Sequence, residues 1–248
     1  MGMPLDTLTL DQAVNIVFDE LAKGHGGTVL TPNVDILRQY RRSPALQRIF
    51  ETTELLVPDG VPLIWASRLQ GTPLPERITG TDMMVSTAGT AATRGAASSV
   101  FLGGGRPGVA QRAADHLARR APGLQVNAYP CYVGPGPLDP QIDGLVRAIV
   151  AAKPDIVYVG LPFMSQVHAI ATLRAQLPQA WFVGVGASFD LLNGDRPRAP
   201  VWMQRIGLEW AHRIAHEPRV WRRYLVGGLP TAARLGADAL RARVRSGR

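Results

Sequence analysis

The stretch Ser99-Val100-Phe101-Leu102-Gly103-Gly104-Gly105-Arg106-Pro107-Gly108 joins a short apolar run to a glycine-rich turn, and an amphipathic stretch follows it. An apolar run of this length predicts a buried strand, and the stretch after the turn predicts a helix. The same alternation recurs on both sides, and it predicts strands at residues 28–30, 55–57, 99–102, 125–128, 156–160 and 181–185. Strands separated by helices predict an α/β fold, with a Rossmann-like, mostly parallel sheet flanked by helices.

Positive charge is concentrated at the end of the chain. Residues 196–248 hold twelve Arg, no Lys and three acids, a net charge of +9, whereas the preceding 195 residues are close to neutral at −1. Arginine binds phosphates bidentately, and the tryptophans in this segment favour the boundary between lipid headgroups and acyl chains. We therefore predict a core over residues 1–195 and a basic helical appendage over 196–248, which binds a membrane surface or a nucleic acid.

Composition excludes several classes of protein. A single cysteine rules out an intrachain disulfide and a cysteine-based zinc site. No segment approaches the roughly 18 continuous apolar residues of a spanning helix, and the N-terminus lacks a secretory signal. We expect a cytoplasmic protein whose membrane contact is peripheral. No Asp-x-Asp sequence occurs, and the pair His212/His216 lacks a third ligand, so no metal site is predicted.

Polar residues follow the predicted strands at the edge where ligands of parallel sheets bind. Asp59, in the sequence Pro58-Asp59-Gly60, is either a general base or the N-cap of the next helix. Thr31 and Asn33 follow the first strand, and they either line the same edge or cap a helix. Arg77, in a loop after a proline-rich segment, either neutralises a departing anion or is a solvated surface side chain.

Glycines follow the third strand and a carboxylate follows the last. Gly103, Gly104 and Gly105 either bring backbone N–H groups to a phosphate at a helix N-terminus or form a tight turn that binds nothing. Asp190 lies a few residues beyond the last predicted strand. We expect all four residues at the ligand-binding edge of the sheet.

Together these motifs resemble the WecG/TagA/CpsF family of bacterial glycosyltransferases from about residue 10 to residue 226. The segments that carry the resemblance are Thr31-Pro32-Asn33, Leu56-Val57-Pro58-Asp59-Gly60, Pro75-Glu76-Arg77-Ile78-Thr79-Gly80-Thr81-Asp82, Phe101-Leu102-Gly103-Gly104, Val183-Gly184-Val185-Gly186-Ala187-Ser188-Phe189-Asp190, Arg198-Ala199-Pro200, Gly207-Leu208-Glu209-Trp210, Glu217-Pro218-Arg219 and Arg222-Arg223-Tyr224. Each segment is short, but their order and spacing together are specific.

The resemblance implies an inverting, metal-independent transfer of a hexose-type sugar from a UDP-sugar, without a cofactor, in cell-surface polysaccharide synthesis. The acceptor would be a sugar linked to polyprenyl diphosphate at the inner face of the membrane. Asp59 would be the base, Thr31 and Asn33 would line the sugar pocket, and Arg77 would stabilise the leaving diphosphate. The basic appendage would contact the anionic membrane surface, and we assign that contact to Arg213, Arg219, Trp221, Arg222 and Arg223.

The chain departs from the family after the fifth strand. The family has Gly-x-Pro-Lys-Gln-Glu where this chain has Pro162-Phe163-Met164-Ser165-Gln166-Val167. Gln166 is kept as a predicted donor-binding residue, and the loss of two charged side chains favours a sugar less charged than a uronic acid. The alternative is a nucleotide-binding sensor without enzymatic activity, whose arginines bind nucleic acid. Tryptophans interleaved with those arginines favour a membrane, so we predict no nucleic-acid partner.

Overall fold

The computed structural model describes residues 3–94, 99–134 and 139–246. Within these residues the chain forms one parallel sheet with the strand order β2-β1-β6-β5-β3-β4. The strands are β1 (Gly27–Leu30), β2 (Leu55–Leu56), β3 (Ser99–Gly104), β4 (Gln125–Tyr129), β5 (Ile156–Gly160) and β6 (Trp181–Gly184). The predicted α/β fold with a parallel, helix-flanked sheet and a helical C-terminal segment is confirmed.

Helices fill the connections between the strands. They are α1 (Leu10–Leu21), α2 (Val34–Tyr40), α3 (Pro44–Glu51), α4 (Val61–Gln70), α5 (Gly80–Arg94), α6 (Val109–Arg120), α7 (Gln141–Ala152), α8 (Phe163–Gln176), α9 (Ser188–Leu192), α10 (Val201–Arg205), α11 (Glu209–His216) and α12 (Leu229–Ser246). A 3₁₀ turn at Pro218–Val220 and a π-helical segment at Arg222–Gly228 connect α11 to α12.

Alternate side chains of each strand serve two different apolar layers. In β3, Val100 and Leu102 pack with α1, α5, α6 and α9, whereas Phe101 between them packs with the helices of the opposite face. That second layer contains α2, α3, α4, α7, α8 and α12. Burying each of these large side chains contributes about 1.5–3 kcal/mol, so the central strands are held on both faces.

The C-terminal segment is helical, as predicted, but it is not one continuous helix. Gly207 takes a φ of +70° and separates α10 from α11. A turn with positive φ is open to glycine at little cost. α12 continues directly from the π-helical segment Arg222–Gly228, so Gly227, Gly228 and Pro230 lie inside one helical run.

α12 packs against the core. Leu235 and Ala239 are fully buried in the second apolar layer beside α4. Arg41, which follows the last residue of α2, adds an ion pair with Asp238 at 2.7 Å. The last helix is therefore part of the helical layer that covers this face of the sheet.

The connections out of neighbouring strands diverge at the centre of the sheet. β3 leads outward to β4, whereas β5, which is paired with β3, leads in the opposite direction to β6. Such a reversal opens a crevice at the carboxyl ends of the two strands. Asp59 lies at the same edge of the sheet, beyond β2.

Candidate active site at the carboxyl edge of the sheet

Backbone hydrogen bonds join three loops around Asp59. The Asp59 N–H donates to the Pro32 carbonyl after β1, and the Pro58 carbonyl accepts from the Ile78 N–H, each at 2.9 Å. These bonds bring together the segments that carry Thr31 and Asn33, Asp59, and Arg77. Long-range contacts of this kind place residues far apart in sequence at one edge.

The side chain of Asp59 does not cap the next helix. α4 has Gly60 as its N-cap residue and no side-chain cap hydrogen bond. Within the described part of the chain, the Asp59 carboxylate has neither a hydrogen-bond partner nor an ion pair, although it is partly buried. The alternative of a capping role is therefore not the one that the structure adopts.

Burial raises the pKa of Asp59 from 3.8 to about 7. Four charged neighbours act on the pKa of this carboxyl in opposite directions: Arg77 and Arg198 lower it, whereas Glu209 and Asp82 raise it. Loss of water around a carboxylate disfavours its charged form. A carboxyl group whose pKa lies near neutral pH, and whose oxygens are not engaged by another side chain, is suited to accept a proton from a bound hydroxyl.

Arg77 is an anchored side chain, with only 18% of it exposed. Its neighbour Ile78 is fully buried, and the carboxylate of Glu76 accepts a hydrogen bond from the Leu10 N–H. The guanidinium donates to Glu209 at 2.7 Å and to Gln204 at 3.1 Å. The alternative of a solvated surface arginine is thus excluded.

A second arginine reaches this region from the C-terminal segment. Arg198 forms an ion pair with Asp82 at 3.2 Å. Asp82 also accepts from the Thr79 N–H, while Thr79 Oγ1 accepts from the Asp82 N–H, a reciprocal pair at the start of α5. Sequence reasoning assigned no role to Asp82, Arg198, Gln204 or Glu209. Asp82, Arg198 and Glu209 lie in segments that carried the family resemblance, and that resemblance is the feature of the sequence that could have identified them.

Thr31 and Asn33 lie beside Asp59 in the loop after β1. Asn33 caps α2, with its side-chain oxygen accepting from Asp35 and Ile36 N–H groups at 3.1 and 3.2 Å. The capping alternative for Asn33 is therefore realised, and its side chain also lies against Gly60. Thr31 donates to the Gly184 carbonyl at 3.5 Å.

Gln166 ties α8 to the end of β6. Its side chain is buried and accepts a hydrogen bond from the Gly186 N–H at 3.1 Å. Gly184 leaves space for it, since a Cβ there would lie 2.1 Å from the Gln166 amide nitrogen. Ser165 and Val167 are also buried. Burial accounts for uncharged residues at both positions, so their neutrality carries no argument about the charge of a donor.

Gly103, Gly104 and Gly105 each have a structural reason, which is close packing for the first two and backbone conformation for the third. A Cβ at Gly103 would lie 2.8 Å from Leu145, and one at Gly104 would lie 2.4 Å from the Gly160 carbonyl oxygen. Gly105 has a φ of +76° and bridges to Cys131. The tight-turn alternative therefore accounts for all three glycines, whether or not a phosphate binds there.

An aromatic ring lies at the carboxyl end of β5, beside β3. Phe189 is buried, and a Cβ at Gly160 would lie 2.5 Å from it. The next residue, Asp190, pairs with Arg106 at 3.2 Å. The structure thus groups Thr31, Asn33, Asp59 and Arg77 at one end of the edge. Gly103–Gly105 and Asp190 lie further along it, at the ends of β3 and β6.

Two further features bear on ligand binding. A cavity of about 280 Å³ lies between the N-terminal segment, α2, α4 and α12, but it contains neither Asp59 nor Arg77. Among the described residues, no group of three or more His, Cys, Asp or Glu side chains is placed to hold a metal ion. His212 and His216 lie side by side, with ring centroids 4.1 Å apart.

The residues assigned to membrane contact differ in their surroundings. Trp221 is 43% exposed, and the Arg222 guanidinium lies 5.4 Å from the centre of its ring. Arg219 is exposed, Arg213 is partly buried, and Arg223 pairs with Asp35 of α2 at 3.2 Å. In the part of the chain that the structure describes, no helix combines the length and apolar character needed to cross a membrane.

Known proteins are similar to this chain over most of its length. The family described as "Glycosyl transferase WecG/TagA/CpsF family" matches residues 1–245. An N-acetylglucosaminyldiphosphoundecaprenol N-acetyl-beta-D-mannosaminyltransferase of Bacillus spizizenii is 31% identical over 212 residues, which cover 83% of this chain and 77% of that protein. Enzymes with the same name from Bacillus subtilis and Staphylococcus aureus strain MW2 are 29% and 26% identical, covering 81% and 90% of this chain and 75% and 85% of theirs.

Proposed function

Since this chain belongs to the WecG/TagA/CpsF family of glycosyltransferases, we propose that it transfers a hexose-type sugar from a UDP-sugar to a sugar linked to polyprenyl diphosphate. The reaction would serve cell-surface polysaccharide synthesis at the inner face of the membrane. The relatives' names give N-acetylmannosamine as the transferred sugar and N-acetylglucosaminyldiphosphoundecaprenol as the acceptor. UDP-N-acetylmannosamine and this acceptor are therefore the first substrates to test.

One observation carries the mechanism: the carboxylate of Asp59 has no partner in the described chain, and Arg77 lies near it in a fixed position. Asp59 accepts the proton of the acceptor hydroxyl as that oxygen forms a bond to the anomeric carbon of the donor. The bond between this carbon and the UDP oxygen breaks, and its electron pair leaves with the diphosphate. A single displacement inverts the anomeric configuration.

Arg77 contributes positive charge where the leaving diphosphate becomes more negative. A charge fixed before the reaction stabilises the transition state without reorganisation. Arg198, held by Asp82 beside the same carboxylate, is a second cation in this region. Two arginines near the departing group support a transfer that needs no metal ion. Thr31, Asn33 and Gln166 are proposed to contact the sugar.

A lipid-linked acceptor requires contact with the membrane surface. Arg219, Trp221 and Arg222 are exposed and close in sequence, and the Arg222 guanidinium lies 5.4 Å from the centre of the Trp221 ring. Such a group suits an anionic surface, because lysine or arginine near it contributes about 1 kcal/mol each and tryptophan favours the interface. We propose that these residues hold the enzyme on the cytoplasmic leaflet as a peripheral protein.

The test is a transfer assay with a panel of UDP-sugars and an N-acetylglucosaminyl-diphosphate lipid analogue, in which the product is identified by mass. We expect one donor to give a product larger than the acceptor by one sugar residue. The Asp59→Asn variant is the control for an enzyme-derived product. A sensor without enzymatic activity would bind a nucleotide and yield no product with any donor, and that result would reject the proposal.

A further inference from the structure

Two side chains of the C-terminal segment hold Arg77 from one side. Glu209, at the start of α11, accepts from one terminal nitrogen of the guanidinium at 2.7 Å, and Gln204 of α10 accepts from the other at 3.1 Å. Gln204 is itself fixed, since its amide group donates to the Ala199 carbonyl at 2.7 Å. The turn at Gly207 places α10 and α11 so that both side chains reach the same guanidinium.

The Arg77 guanidinium pairs with Glu209 and not with Asp59. Arginine and a carboxylate frequently form a bidentate pair, and such a pair would occupy the carboxylate that has to accept a proton. Here the guanidinium makes its ion pair with Glu209, whereas Asp59 has no partner within the described residues. The carboxylate of Glu209 therefore takes the interaction that Asp59 would otherwise make.

We propose that Glu209 is a positioning residue of the transfer reaction, which holds the Arg77 guanidinium beside Asp59 while leaving the Asp59 carboxylate free to accept a proton. This role rests on the proposed function. It makes the C-terminal segment a part of the site, because a residue 132 positions after Arg77 sets the direction of its side chain. Glu209 acts through Arg77 and Asp59 and is not assigned a contact with substrate.

The charges around Asp59 support this assignment. They come from three parts of the chain: Arg77 in the loop before α5 together with Asp82 in its first turn, Arg198 before α10, and Glu209 in α11. With all four present, two positive charges face two negative ones. Removing the charge of Glu209 leaves an excess of positive charge around Asp59, which favours its ionised form and lowers its pKa.

The first experiment compares Glu209→Gln with the unaltered enzyme. Glutamine keeps an oxygen that accepts from Arg77 but carries no charge. We expect the rise of kcat/KM with pH to move to lower pH by roughly one unit, the scale on which a neighbouring charge acts on a carboxyl group. The kcat at the plateau should change by less than about threefold, since the guanidinium keeps its acceptor.

A double-mutant cycle tests whether Glu209 acts through Arg77. Glu209→Ala leaves the guanidinium without its acceptor, and we expect kcat to fall by about tenfold or more, with a smaller change in KM. In the Arg77→Ala background the same substitution should lower kcat by less than about twofold, because the group that it positions is gone. Equal losses in the two backgrounds would overturn the proposal.

Glu54→Gln is the matched control. Glu54 pairs with Arg174 at 2.7 Å and is 36% exposed, the same distance and exposure as Glu209 in its pair with Arg77. It lies before β2, at the amino edge of the sheet, and Asp59 lies at the carboxyl edge. We expect this variant to keep both the pH profile and the kcat of the unaltered enzyme. A shift equal to that of Glu209→Gln would overturn the proposal.

A titration without substrate separates this inference from the proposed function. The difference in unfolding free energy between each protein and its Asp59→Asn derivative, followed against pH, reports the ionisation of Asp59. We expect this difference to level off at lower pH in the Glu209→Gln background. If no donor yields product but the titration moves, the proposed function fails and the positioning of charge by Glu209 stands. If product forms but neither the titration nor the pH profile moves, the role of Glu209 is wrong and the function stands.

Discussion

Asp59→Asn should make the protein more stable while making it inactive. The carboxyl group of Asp59 has a pKa raised to about 7 by burial, against an ordinary value of 3.8. The folded chain therefore keeps a proton that the unfolded chain releases between these two values. Asparagine has nearly the same shape as the protonated acid and carries no charge in either state.

The magnitude follows from the difference between the two pKa values. Each unit corresponds to about 1.4 kcal/mol, so the unaltered protein loses about 4 kcal/mol of stability from this group as pH rises from 4 to 7. The loss is complete above pH 7 and absent below pH 4. Asp59→Asn escapes it, so the variant should be about as stable as the unaltered protein at pH 4 and more stable by up to about 4 kcal/mol at pH 8.5.

Urea unfolding of both proteins at pH 4.5, 6 and 8.5 measures this difference. Asp115→Asn, an exposed substitution on α6, is the control, and we expect it to stay within about 0.5 kcal/mol at every pH. In the transfer assay, Asp59→Asn should lower turnover by about a hundredfold or more. A stability difference that does not change with pH would refute the raised pKa, and an unchanged turnover in the folded variant would refute the role as base.

Three further predictions address the leaving group, the metal and the membrane. Arg77→Ala should lower kcat more than it raises the donor KM, because fixed positive charge matters most as the diphosphate departs, and an effect on KM alone would reassign Arg77 to binding. Transfer should persist in excess EDTA, and loss of activity that Mg²⁺ or Mn²⁺ restores would contradict metal independence. Arg219→Gln combined with Arg222→Gln should weaken binding to anionic liposomes at low salt by about 1 kcal/mol per charge, with little effect at high salt, where the Debye length is short. The same two changes at Arg119 and Arg120, exposed on α6, should leave liposome binding unaltered, and equal losses would argue for a non-specific effect of net charge.

The strands were predictable, because they are set by local patterns of apolar residues. The detailed form of the helical C-terminal segment was not predictable in this way. Gly207 separates α10 from α11, whereas Gly227, Gly228 and Pro230 do not interrupt the helical run that ends in α12. Neither outcome follows from periodicity, because both depend on how the segment packs against α4 and around Arg77.

The site was predictable only in part, for a related reason. Asp59 was identifiable because it follows the second predicted strand at the ligand-binding edge. Arg77 was identifiable because it lies in a loop after a proline-rich segment. Their partners Glu209 and Arg198 come from a segment more than 110 residues further along, and the pairing with Arg77 and Asp82 is visible only in three dimensions. The glycine-rich turn was the opposite case: its composition suggested a phosphate site, but close packing and a positive φ already account for its glycines.

The arginines of the C-terminal segment serve more than one purpose. Arg196, Arg198, Arg223 and Arg241 each form an ion pair with a carboxylate, and two of these pairs reach Asp35 and Asp82 in the core. Exposed pairs of this kind contribute about 0–1 kcal/mol each, so their main effect is to fix where the segment lies.

Arg219 and Arg222 have no such partner among the described residues, and they flank Trp221 at the surface. The arginines of this segment thus include Arg198 and Arg223, which hold it against α5 and α2, and Arg219 and Arg222, which are left to meet an anionic surface. Because the docked part also supplies Glu209 and Gln204 to Arg77, removing the whole segment would disturb the site and the surface together. Substitution of single side chains is therefore needed to separate them.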